Sequence, residues 1–122
     1  MRARFATLLG ACALGACASA GGFPKSPDAT PAIQQAERLI AEAQAAGADS
    51  LAAAQIAEAR RHLGLAQGEQ VARKTDRAAL HARSAQADAR YAKSVALQKA
   101  AERSQSEAQS ALQALPPNGG AR

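Results

Sequence analysis

Apolar residues recur at helical spacing in three successive segments of this chain. The first two segments carry the stripes Ile33, Ala36, Ile40, Ala43 and Ala52, Ile56, Ala59, Leu63, Ala66. In the third, steps of four and three residues alternate through Val71, Thr75, Ala78, Ala82, Ala85, Ala89, Ala92 and Ala96. We refer to the alanines of this last series, from Ala78 to Ala96, as the alanine seam. The pattern predicts an all-α fold whose long C-terminal helix packs through alanine, as in a coiled coil.

Capping residues delimit a helical domain, residues 30–115, with helices at about 31–46, 51–67 and 69–114. Thr30 and Pro31 suit the N-cap and first position of a helix. We expect Gly47 and Gly68 to end the first two helices, because glycine readily adopts the left-handed conformation of a C-cap. Residues 116–122 begin with two prolines and continue with glycines, so we expect a disordered tail.

Two architectures satisfy these stripes. In an antiparallel hairpin, the first two helices form one kinked helical segment of about 55 Å alongside a third helix of nearly 70 Å. In a three-helix bundle, all three helices fold back on one another, and the C-terminal half of the third helix projects without a partner. We favour the hairpin because its two sides have similar lengths. After Ala96 the stripe shifts to Ala100, Ser104, Ala108, Ala111 and Leu115, which loosens the register.

The N-terminus has the pattern of a bacterial lipoprotein signal. Arg2 and Arg4 precede an apolar run, residues 5–16, which is shorter than the ~20 residues of a membrane-spanning helix. The run ends in a lipobox-like sequence, Leu14-Gly15-Ala16-Cys17. We therefore predict a signal peptide over residues 1–16, acylation (palmitate included) at Cys17, and a flexible tether over residues 17–29.

This signal implies a place in the cell envelope. Lipoproteins of this type usually stay in the inner membrane when an aspartate follows the cysteine, whereas Ala18 and Ser19 follow it here. We therefore expect the protein at the periplasmic face of the outer membrane. The alternative is ordinary cleavage at Ala18-Ser19-Ala20, which would release a soluble periplasmic protein.

Few side chains suited to catalysis or to metal binding remain in the mature chain. Cys12 is lost with the signal and Cys17 is blocked by acylation, so no thiol is left for a disulfide or a metal. His62 and His81 lack metal-ligand spacing, and the serines lack a nucleophile-elbow setting. Tyr91 is expected to pack against its neighbours. We predict a protein that is not an enzyme and that needs no cofactor.

One basic cluster is a candidate for anion binding. The net charge is +5, and five cations lie close to Gly68 in the sequence: Arg60, Arg61, Arg73, Lys74 and Arg77. A turn at Gly68 would bring them together as a basic collar. In the hairpin the collar would meet peptidoglycan non-covalently, and in the bundle it would face membrane phosphates. Nucleic acid is not an expected partner, because export separates the protein from it and aromatic residues are scarce.

Several short motifs carry a resemblance to a known family. They are Ala36-Glu37, Ala45-Ala46-Gly47-Ala48, Ala57-Glu58-Ala59-Arg60, and Gly68-Glu69 before repeated Ala-x-x-Ala. In this order, after a lipobox, the chain resembles the alanine-rich bacterial lipoproteins grouped as the domain-of-unknown-function 4398 family, over about residues 31–101. The resemblance implies a helical envelope domain without an assigned activity.

These observations lead to one expected function and one alternative. We expect a non-enzymatic, lipid-anchored envelope protein that acts as a spacer, assembly factor or complex subunit. Its expected partners are the membrane, through the N-terminal lipid, and either an envelope protein or a second copy bound along the alanine seam. The alternative is a soluble periplasmic binding or chaperone-like module, whose alanine-lined groove receives an apolar segment of a client.

Overall fold

The computed structural model of the protein describes residues 28–116. Within this range lie the helices α1 (Thr30–Ala45), α2 (Ala48–Leu51), α3 (Ala53–Val71) and α4 (Thr75–Gln113). The all-α prediction is confirmed, since the described part of the chain holds helices and no strand. The predicted signal peptide, Cys17 and most of the predicted tether and tail lie outside the described residues.

Helix α1 begins where the sequence places it, but its cap differs from the prediction. Pro31 occupies the first turn, and Ala29 rather than Thr30 is the N-cap residue. The carboxylate of Asp28 accepts hydrogen bonds from the backbone N–H of Thr30 at 2.9 Å and from its hydroxyl at 2.7 Å. Asp28 therefore fixes the first turn from two residues upstream of Thr30, the expected N-cap.

Gly47 ends α1 in the left-handed conformation, with a φ of 84°, as the C-cap prediction requires. The chain then forms the single turn of α2 and bends at Ala52, whose φ is −138°. Ser50 donates its hydroxyl hydrogen to the carbonyl of Gly47 at 3.1 Å, within the connection. Helix α3 therefore starts at Ala53, two residues later than predicted.

The second turn lies further along the chain than Gly68. Helix α3 runs through Gly68 to Val71, and the chain reverses at residues 72–74, where Arg73 has a φ of 56°. A glycine inside a helix costs only about 1 kcal/mol relative to alanine, and the contacts that flank Gly68, the burial of Ala66 and the hydrogen bond of Gln70 to Asp28, offset this cost. The backbone N–H of Lys74 bonds to the carbonyl of Glu69 at 2.9 Å and closes the turn. The long helix consequently begins at Thr75 instead of residue 69.

The helices form a three-helix bundle, so the hairpin that we favoured is wrong. The side-chain amide of Gln70 in α3 lies 3.3 Å from the Thr30 hydroxyl, which places the start of α1 beside the end of α3. At the other end of the bundle, Lys93 in α4 binds Glu42 in α1 at 2.9 Å. Helices α1 and α4 thus run in the same direction, and both are antiparallel to α3. Folding back allows the isoleucines of α1 to bury themselves against α3 and α4 instead of facing water.

The predicted stripes form the core, apart from Val71 at the start of the third stripe, which is 85% exposed. All six alanines of the alanine seam are 0% exposed, and the buried positions of α1 include Ile33, Ile40 and Ala43. Ile56 in α3 is the largest fully buried side chain among the described residues. Alanines at every seam position let the helix backbones approach closely. Burial stops at Ala96, and every residue of α4 beyond it is exposed.

Candidate functional site

The predicted acylation site lies outside the described residues, but the structure shows where the segment that carries it joins the bundle. Asp28 is held by Thr30 and also accepts a hydrogen bond from the Gln70 side chain at 2.9 Å. These hydrogen bonds, led by that from the Thr30 hydroxyl, lower the pKa of the Asp28 carboxyl. The chain therefore enters the bundle beside the turn between α3 and α4.

The five predicted collar residues do not form one cluster. Arg73, Lys74 and Arg77 lie together at the turn between α3 and α4, next to the point of chain entry. Arg61 lies 12 residues before Arg73, which corresponds to roughly 18 Å along α3. Because the turn falls at residues 72–74 and not at Gly68, α3 carries Arg60 and Arg61 away from the other three.

Ion pairs reduce the free positive charge further. Arg60 binds Asp49 at 2.6 Å, near the opposite end of the bundle. Arg61 binds Glu58 at 2.7 Å, and Lys74 lies 3.4 Å from a Glu69 oxygen. All three cations are about half exposed, and such surface pairs contribute at most ~1 kcal/mol each. The cations that remain as a candidate anion site are those of the turn, with Asp76 beside them.

A contact between α3 and α4 was not visible in the sequence. Nδ1 of His62 lies 2.7 Å from a carboxylate oxygen of Asp88, and Nε2 of His62 lies 2.8 Å from the guanidinium of Arg61. Because Arg61 can only donate, Nε2 accepts and Nδ1 donates to Asp88, so the neutral ring satisfies both contacts. The His81 ring stacks on His62 at a centroid distance of 6.2 Å. In sequence His62 and Asp88 are 26 residues apart, which is why no local pattern relates them.

The contacts of the His62 cluster connect two helices. The two helices are joined by a partly exposed hydrogen-bonded chain, in which Arg61 and Asp88 are the polar partners of His62 among the described residues. Within residues 28–116, no group of three or more His, Cys, Asp or Glu side chains is placed to hold a metal ion. The cluster thus links α3 to α4.

Tyr91 does not pack as predicted. Its side chain is 58% exposed and lines an open groove of about 230 Å³ between α3 and α4, together with Gln55, Glu58 and Asp88. The expectation failed because Tyr91 lies on the side of α4 that faces away from the alanine seam. The groove is too open to enclose a small molecule, since ligand sites usually bury most of the ligand surface.

Among the described residues, α4 carries an uncovered apolar surface beyond the bundle. We call residues 97–115 the arm; it comprises the last 17 residues of α4 and the two that follow. At 100° per residue, one third of its circumference carries only small and apolar residues: Leu97, Ala100, Ala101, Ser104, Ala108, Ala111, Leu112 and Leu115. All of these are exposed, and the leucines are 53%, 68% and 64% accessible. The opposite side of the arm is entirely polar or charged apart from Ala114, which lies at its edge.

The arm replaces the alanine seam as the candidate surface for association. The seam is covered by α1 and α3 within the same chain, and its alanines are inaccessible. The shift of the apolar stripe after Ala96 is visible in the sequence. It was the signal that could have identified the arm as an uncovered surface. It marks the point where contacts with α1 and α3 end.

The described helices include none that is long and apolar enough to cross a membrane. Comparison of the chain with family models, with curated proteins and with solved structures found no match. The resemblance to the domain-of-unknown-function 4398 family therefore stays a prediction.

Proposed function

We propose that this chain is a non-enzymatic, lipid-anchored cell-envelope protein that acts as a spacer or as a subunit that helps assemble a complex. One observation carries the proposal: Asp28, the first described residue after the segment predicted to bear the lipid, and the uncovered arm are at opposite ends of the described structure. Asp28 lies beside the α3–α4 turn, where α4 begins. From there α4 runs about 60 Å to its exposed end.

The lengths of these segments would allow the molecule to hold its arm away from a membrane. The residues between Cys17 and Asp28 can span at most about 40 Å when extended. The end of the bundle with Arg73, Lys74 and Arg77 would then face the lipid phosphates rather than peptidoglycan. The arm would extend about 25 Å beyond the bundle on the side away from the membrane.

The contacts of the polar groups support a non-catalytic role. Acidic side chains are engaged by cations from other segments, as in Glu42 with Lys93 and Asp49 with Arg60. Among the described residues, no polar or charged side chain is fully buried. Such groups hold the helices in register at the surface, whereas catalytic groups usually lie in a pocket that excludes water.

Two measurements on the native protein in envelopes test the proposal. The first is palmitate labelling with membrane fractionation, where Cys17→Ala should abolish labelling and release the chain from the outer membrane. The second is photo-crosslinking from position 112 in the arm, with position 80 in the bundle as a matched exposed leucine control. We expect a defined crosslinked partner from position 112 only. Labelling that survives Cys17→Ala, or equal crosslinking from both positions, would contradict the proposal.

The arm also supports the alternative of a soluble periplasmic binding or chaperone-like module. Its exposed apolar face has the form of a helix surface that receives an apolar segment. The groove expected along the alanine seam is filled by α1 and α3, so the arm is the remaining candidate. A soluble chain with no lipid, crosslinked from position 112 to many different polypeptides, would favour this alternative.

A further inference from the structure

We infer that the arm is a homodimerisation element, which pairs with the arm of a second copy in antiparallel orientation. Residues 97–115 form the contact, and the pairing does not require Cys17 to be acylated. Its starting point is that a face of five helical turns, apolar apart from Ser104, is exposed along its whole length. In water such a face is stabilised by covering it.

The spacing on this face is symmetric about residue 106. The central positions of the face are separated by steps of four and three: 97, 101, 104, 108, 111 and 115. When two such helices run antiparallel, Leu97 of one copy meets Leu115 of the other, and Ser104 meets Ala108. Leu112 flanks the same contact at each end. The pair thus has leucine clusters at both ends and small residues between them, where the helices can approach closely.

The bundle blocks a parallel pairing. On α4, Gln86 bonds to the carbonyl of Ala32 at 2.9 Å and Lys93 bonds to Glu42, so this row of α4 faces α1. The next position in the row, seven residues on, is Ala100, at the edge of the arm's apolar face. In a parallel pair, α4 of the partner would continue past the arm and lie alongside the bundle. It would therefore enter the space that α1 occupies. In an antiparallel pair, the helix α4 of the partner ends near Leu97, at the level where α1 ends.

Charges on the arm suit the antiparallel pair. Arg103 and Glu107 lie one turn apart on the same edge of the arm. With the two-fold axis at residue 106, Glu107 of one copy comes to the level of residue 105 of the other, about 3 Å along the axis from that copy's Arg103. Each glutamate then has an arginine of its own helix and an arginine of the partner beside it, and the two arginines lie outside the pair of glutamates that flank the axis.

A membrane surface fits the arm less well than a second copy. The polar side carries Lys99 and Arg103 together with Glu102 and Glu107, which gives no net charge. Helices that lie on membranes are typically rich in basic residues on the polar face and in large apolar residues on the other. Alanine dominates the apolar face here, and alanine favours close helix packing.

Antiparallel pairing gives an elongated particle. Two α4 helices that overlap over the arm place their first residues about 90 Å apart, with the Asp28 residues of the two copies toward opposite ends. Pairing therefore extends the spacing that one chain provides. Because the contact is limited to the arms, it falls at the small end of stable interfaces, near 1,200 Å², and we expect a dimer of micromolar affinity.

Sedimentation equilibrium of the full chain tests this inference. The chain would carry Cys12→Ser and Cys17→Ser, which remove thiols and acylation, in a density-matched mild detergent. We expect a particle of twice the 12.4 kDa chain mass. Ala108→Glu, on the apolar face, should weaken association at least about tenfold, whereas Ser106→Glu, on the polar face, should not. A chain that stays monomeric at about 100 μM, or equal effects of the two substitutions, would overturn the inference.

Disulfide formation tests the orientation. In the same background, Leu97→Cys and Leu115→Cys are made as separate single variants. Antiparallel pairing predicts little disulfide within either variant and an efficient disulfide between the two when they are mixed. Efficient disulfides within each single variant, without a gain on mixing, would show parallel pairing and reject the proposed register. Circular dichroism of each variant checks that the helix content is unchanged.

Discussion

The size of one side chain decides how closely α4 approaches its neighbours. Ala89 is 0% exposed within the core formed by α1, α3 and α4, whereas Ala87, two residues earlier, is exposed. Ala89→Leu should therefore destabilise the fold by about 1–3 kcal/mol, because the added carbons force the helices apart. Ala87→Leu should change stability by less than about 0.5 kcal/mol. Denaturant unfolding of the two variants makes the comparison, and equal midpoints would contradict close packing at the seam.

Acid should weaken the bundle through Glu42. The hydrogen bond and charge of Lys93 lower the pKa of the Glu42 carboxyl in the folded state. A lowered folded pKa gives a stabilising contribution that is present above the ordinary carboxyl range and is lost as pH falls through the lowered value. Thermal unfolding should thus shift downward on acidification below about pH 4. Because the pair is exposed, the effect is modest.

Lys93→Met isolates this contribution. The substitution removes the hydrogen bond and charge while keeping an apolar stem of similar length, so part of the downward shift should disappear. Asp28 has a lowered pKa from its contacts with Thr30 and Gln70, and it should account for part of the remainder. Asp28→Asn in the same background tests that part. An acid shift that is identical with and without Lys93 would exclude the α1–α4 pair as its source.

At the scale of the element, two glycines with the same predicted role behave differently. Gly47 has a φ of 84° and requires the left-handed conformation, whereas Gly68 is helical and its missing side chain would meet open space. Gly68→Ala should consequently stabilise the protein by about 0.4–1 kcal/mol, by restricting the unfolded chain. Gly47→Ala should destabilise it by about 1 kcal/mol or more. Calorimetry gives the melting temperatures of the two variants. If the chain turned at Gly68, the order would be reversed, and Gly68→Ala would be the less stable variant.

The two glycines show which features of the fold a local sequence pattern can predict. Periodicity identified the buried faces, since Ile33, Ile56 and the alanine seam are all in the core. Helix ends were predicted less well, because in the sequence a glycine inside a helix, such as Gly68 in α3, looks the same as a glycine that ends one. What fixes the turn at residues 72–74 is the contact of Gln70 with Asp28 and Thr30, more than 35 residues away in sequence.

At the scale of the whole molecule, topology could not be read from the stripes. An alanine face accepts one helix or two with little difference in side-chain volume, so the stripe on α4 does not by itself distinguish the hairpin from the bundle. The bundle is selected by contacts between distant residues, such as Lys93 with Glu42 and Gln86 with Ala32. The same choice splits the basic collar and leaves the arm uncovered, so the candidate site follows from topology and not from any motif.

Hydrogen exchange should divide α4 into two parts. Residues 78–96 pack against α1 and α3, whereas residues 97–113 are exposed and lie outside the core that the described residues form. In dilute protein, amides of the arm should exchange at least about tenfold faster than those of the seam segment, because an uncovered helix end opens locally. At concentrations where two copies pair, arm amides should slow while those of the bundle stay unchanged. Ala108→Glu should remove this slowing. Arm amides that remain fast at every concentration would show that the face stays uncovered, and amides that are slow even at high dilution would show that the monomer itself covers it.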